Sequence, residues 1–172
     1  MADSTVNRRH VAGAVLGAFA AWFVILAFLS LVSAIYGNGW LAPFEGSRTA
    51  FGFDGAAGLW LLLLIDLVIP FVAACIFVVA LAILSRTEFR LLGFQSRREM
   101  LLDGLLLGLA VFGLFYVPVL FQMAHPSLAA AVTPLAIGLI DHLAFGVTIV
   151  AVIFRVGGPV EFRTRAMRSG SS

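Results

Sequence analysis

The sequence predicts an all-α, polytopic membrane protein: a bundle of four transmembrane helices, with a short amphipathic helix in the interface between the second and the third. Three observations carry this. First, 62% of the 172 residues are hydrophobic and 12% are charged, where soluble domains are roughly 45–50% apolar and about 25% charged. Nine acids, eleven arginines and no lysine are too few to cover a water-facing surface, and the mean hydropathy is +1.07. Second, four apolar runs each reach the roughly 20 residues that cross a hydrocarbon core about 30 Å thick. Third, ten of the eleven arginines lie before the first run, between the second and third, or at and after the end of the fourth.

The first run, 11–36, carries no charge. Asn7-Arg8-Arg9-His10 ahead of it resembles a twin-arginine signal, with Val32-Ser33-Ala34 as a cleavage site. The run exceeds the roughly 7–15 residues of a signal's apolar core, so an uncleaved first helix is the better expectation. The second run, 56–84, carries one charge, Asp66, and Pro70 one turn further on. The third and fourth, 103–122 and 133–155, are separated where His125 and Pro126 break the pattern. These four helices form a single domain over 1–156, followed by a polar cytoplasmic tail, 157–172.

Arginine placement sets orientation, because cytoplasmic loops hold the excess of Lys and Arg. Arg8 and Arg9, then Arg86, Arg90, Arg97 and Arg98, then Arg155, Arg163, Arg165 and Arg168 share one side, leaving Arg48 on the other. The expectation is a prokaryotic inner (plasma) membrane protein with both termini in the cytoplasm. In the external loop, Tyr36, Trp40 and Trp60 fit an aromatic belt at headgroup level, with a lid over an outer-leaflet entry as the functional alternative. The connection over 85–100, with Phe89, Leu92 and Phe94 against four arginines, fits an interfacial helix. Ser85 with Glu88, and Ser96 with Glu99, match the S-x-x-E capping box. Asp103 suits the positive start of the third helix.

Small residues mark packing faces. Gly13 and Gly17 on the first helix, and Gly104 and Gly108 on the third, repeat at four-residue spacing and let backbones approach closely. The two Gly-x-x-x-Gly openings, each behind an arginine pair, together with one aspartate in each of helices two and four, suggest a parallel internal repeat.

Asp66, Asp141 and His142 are the residues that most demand a reason, since a charge at mid-membrane costs at least ~2.5–3.5 kcal/mol. Measured from the outer helix ends, the aspartates lie about 15 and 12 Å deep, so they can meet, whereas measured from the inner arginines they are offset by roughly 9 Å. Tyr116, Ser30 and Ser33 are candidates to complete a polar cluster, and Pro118 frees the carbonyl of Leu114 as another acceptor. Asp141 and His142 point about 100° apart and cannot aim at one neighbour in the same way.

Several chemistries compete for this set. Asp and His can hydrogen-bond one another or nearby backbone simply to fix helix register. They can form a protonatable pathway, since a carboxylate beside a histidine can change charge near neutrality. A haem or quinone site is limited by supply, because only His142 lies within a run, and no cofactor is assigned. One cysteine, Cys75, excludes a disulfide framework or a CxxC pair. No H-E-x-x-H, phosphate loop or G-x-S-x-G is present. No catalytic residue or metal ligand is therefore assigned, and an enzyme ranks behind the other readings.

Asp141-His142-Leu143-Ala144-Phe145-Gly146 resembles the His-Leu-x-x-Gly last helix of small uncharacterised four-helix membrane families that include the YagU-like proteins, and Ala12-Gly13-Ala14-Val15-Leu16-Gly17 is similar to their Gly-rich opening. The resemblance implies a four-helix inner-membrane protein and no established activity. The leading expectation is an integral membrane protein that moves protons or a small polar solute through a site built on Asp66, Asp141 and His142. The alternative is a structural or accessory subunit of a larger membrane complex, and the third is a membrane-embedded lipid enzyme. Expected partners are the lipid bilayer, other membrane subunits or a second copy of the chain. The near-neutral charge of +2 gives no nucleic-acid footprint.

Overall fold

The computed structural model describes residues 6–42, 55–85, 96–124 and 127–160. Within them the protein is all-α: four helical rods, each long and apolar enough to cross a membrane. The first span is α1 (Arg8–Ile35) and the second is α2 (Gly55–Leu84). The third runs through α3 (Arg97–Val111), a π-helical turn at Phe112–Tyr116 and α4 (Val117–Ala124). The fourth is α5 (Leu128–Gly157).

Three spans start earlier than hydropathy alone predicts, and in each case a side-chain cap explains it. Asn7 accepts from the amide of Arg9 at 2.9 Å, while its own amide donates to His10 Nδ1 at 3.2 Å, a capping box with histidine in the usual glutamate position. Ser96 and Glu99 close the predicted box, at 3.2 and 3.0 Å. That box heads the third span itself, so Arg97 to Met100 belong to a transmembrane rod and not to an interfacial helix. The rest of the predicted interfacial helix, with Arg86, Glu88, Phe89, Arg90, Leu92 and Phe94, lies outside the described residues. Asp103 is consequently well into the second turn, and buried. Ser85 donates to the carbonyl of Ala82 at 3.0 Å, which closes α2. Ser127 caps α5 at the amide of Ala130, and the alanine-rich stretch that follows, a strong helix former, carries the helix back from 133 to Leu128.

The fourth span is the hub. α1 packs along one side of α5 and α3 along another, α2 lies against α1, and α2 and α3 scarcely meet. The first and last described segments come together: with Nδ1 accepting from Asn7, His10 carries its hydrogen on Nε2 and donates it to the carbonyl of Gly158 at 3.2 Å. A side chain at Gly157 would collide with that ring. The segment after α5 begins packed, with Val160 fully buried in the core beside Ile149, Val150 and Ile153.

The predicted glycines all serve α5. A Cβ on Gly13 would stand 2.9 Å from the Cα of Ile153, one on Gly17 3.0 Å from the carbonyl oxygen of Ile149, and one on Gly104 2.6 Å from the Cα of Val147. One on Gly108 would run into the carbonyl of His142. Backbone approach this close explains why glycine stands at these positions. It also breaks the predicted repeat. The glycine faces of the first and third spans converge on one shared helix, where a repeat would send them to two equivalent ones.

Candidate functional site: a carboxylate pair beside a histidine

The polar residues gather in mid-membrane, where α5 passes the π-turn of the third span. Phe112–Tyr116 adopts this register with the amide of Val117 bonded to the carbonyl of Phe112, five residues back. Pro118 supplies the cause: it has no amide to give to Leu114, so the ordinary ladder cannot continue there. The π-turn presents Phe112 and Tyr116 together on α5. Their rings stack at 5.5 Å, and both meet the His142 ring, at 5.9 and 5.1 Å. Phe145 closes the other side of the imidazole at 6.2 Å.

Gly138 lets this aromatic group form, since a Cβ there would overlap the Tyr116 ring. The Tyr116 hydroxyl then donates to the carbonyl of Pro134 at 3.0 Å. His142 Nδ1 is 2.7 Å from the carbonyl of Gly138. A carbonyl only accepts, so Nδ1 carries the hydrogen and Nε2 of the neutral ring keeps its lone pair.

Asp141 turns the other way around the helix, into the bundle, and is 4% exposed. Its Oδ2 lies 3.9 Å from His142 Nδ1, close enough for an ion pair but too far for a hydrogen bond. Its Oδ1 is buried with no hydrogen-bond partner among the described residues. Asp66, half-buried on α2, stands near enough to Asp141 for their charges to interact, and the Tyr116 hydroxyl feels the same Asp141 charge. One turn beyond Asp66 is Pro70, which has no amide for the Asp66 backbone carbonyl.

The structure thus brings Asp66, Asp141, His142 and Tyr116 into one neighbourhood. Ser30 and Ser33 do not join them. Ser33 donates to the carbonyl of Gly39 at 2.8 Å, tying down the loop after α1. Ser30 lines a separate apolar cavity of about 190 Å³ between α1 and α2, with Leu26, Leu59 and Leu63. Trp40 and Trp60 also line this cavity and are about two-thirds exposed, as belt residues are. Sequence reasoning missed Gly138 and Gly146. The latter packs against the backbone of Gly104 and Gly108. Their eight-residue spacing, just over two turns on one helix face, was the available signal.

Searches of protein families, of curated proteins and of solved structures find no match for the chain.

Proposed function

We propose that this chain is a multi-pass inner-membrane protein, with both termini in the cytoplasm, that moves protons or a small polar solute through a site built on Asp66, Asp141 and His142. One observation carries the reading: the buried Asp141 carboxylate has an oxygen with no hydrogen-bond partner among the described residues. The arginines of the described residues all stand near span ends, at Arg8, Arg9, Arg97, Arg98 and Arg155. A polar group retained only to fix helix register is expected to have its hydrogen bonds satisfied. A carboxylate held in hydrocarbon without a cationic side chain is instead suited to a mobile positive charge.

Transport is tested in sealed vesicles containing the full chain, by the collapse of imposed proton and alkali-ion gradients. Asp141→Asn is expected to slow that collapse roughly tenfold or more, whereas Gly113→Ala, on an open face, leaves it unchanged. Vesicles that hold every gradient would transfer support to the accessory-subunit reading. Orientation is tested in a Cys75→Ser background. Gly46→Cys and Ser127→Cys should react with an impermeant thiol reagent added outside cells, and Ser96→Cys and Ser169→Cys should not; the reverse labelling would invert the topology.

A further inference from the structure

We propose that the ion exchanged at this site is a proton, held on the buried Asp141 carboxyl, with Asp66 and His142 as the titratable groups around it. This rests on the transport reading above and narrows it to one substrate.

The geometry argues against the other cations. A dehydrated hard metal ion needs a shell of about six oxygens. The site offers two carboxylates, while the carbonyls of Gly138 and Pro134 are already engaged by His142 and Tyr116. No group of three or more His, Cys, Asp or Glu side chains among the described residues is placed to hold a metal. An organic cation needs open aromatic faces, but Phe112, Tyr116, His142 and Phe145 pack on one another and fill that space. A proton needs no cavity.

The residues around the pair also fit proton transfer. The titratable groups facing Asp141 are Asp66 from α2, Tyr116 from the π-turn and His142 from its own helix. Among the described residues, Asp66 makes no side-chain hydrogen bond that competes for a proton. The hydrogen bond to Gly138 fixes the His142 tautomer, with the hydrogen on Nδ1 and the lone pair on Nε2. When Asp141 takes up a proton its carboxylate becomes a neutral acid, and release restores the carboxylate, with His142 Nδ1 3.9 Å from Oδ2.

The test uses the full chain in phospholipid vesicles with an internal pH dye and an imposed membrane potential. The internal pH should follow the potential at a rate unchanged within about twofold when sodium and potassium are replaced by a bulky organic cation. Asp66→Asn and Asp141→Asn should each slow it roughly tenfold or more, His142→Gln should slow it comparably, and Asp141→Glu, which keeps the carboxyl, should retain it. Independently of flux, infrared spectra of the wild type should show a protonated carboxyl stretch at neutral pH that disappears in Asp141→Asn. Sodium or lithium uptake without a pH change would overturn the proton assignment and leave the transport reading standing. No ion movement together with no protonated carboxyl band would overturn both.

Discussion

The two halves of the bundle are built on different principles. In the half that holds the described chain ends, α1 and α3 press glycine faces onto α5, and Gly146 returns the contact against Gly104 and Gly108. Between these helices Ala14, Ala18, Phe145, Ile149 and Ile153 are almost wholly buried. In the opposite half the rods are held by large rings and polar groups, α1 and α2 separate around an apolar cavity, and the third span abandons α-helical register at Phe112–Tyr116. Lipid tails are as apolar as leucine, so close van der Waals contact between backbones is what joins helices in a membrane. The glycine half supplies that contact, and the junction between halves is where the buried Asp141 carboxylate is accommodated.

If this division is right, substitutions in the two halves should differ in size. The largest loss is expected for Gly108→Val, whose side chain must displace the backbone of α5 at His142: about 3 kcal/mol, the upper part of the usual range for overpacking, read as lost thermal stability in mild detergent. A melting point close to wild type would mean that the glycine contacts do not hold the hub. His142→Ala removes one hydrogen bond and a ring that touches three others, and should cost about 2 kcal/mol; His142→Phe, which keeps the ring, should recover part of it. If both variants lose equally, ring packing contributes nothing. Tyr116→Phe deletes only the bond to Pro134 and should cost about 1 kcal/mol. Gly113→Ala is the control, since no atom lies within 4 Å of the added carbon. Its change should stay within about 1 kcal/mol, the difference in helix propensity. A larger loss there would place the π-turn among the tightly packed elements.

Asp66 and Asp141 sharpen the comparison further. Because their charges interact across the bundle, Asp66→Asn and Asp141→Asn should be non-additive, with a coupling above about 0.5 kcal/mol in the double variant. Strict additivity in the same melts would show that the two side chains do not share a site.

The sequence alone determined the number of spans, the faces along which they approach, and which polar residues are costly enough to matter. Each follows from local physics: the thickness of hydrocarbon sets the length of an apolar run, the absence of a Cβ marks a close approach, and a charge in that medium needs a reason wherever it points. Capping at Asn7, Ser96 and Ser127 was equally local, but its pull on the span boundaries was underestimated because hydropathy does not register a hydrogen bond to a free amide. Only the tertiary structure decided that the fourth helix is the hub, because Gly-x-x-x-Gly marks a close face without naming the helix that fills it. It also assigned Tyr116 to the aspartates and Ser30 and Ser33 elsewhere. Depth along an axis is written in the sequence, but rotation about that axis is set by neighbours, and here by a π-turn that shifts the register of every residue after Phe112.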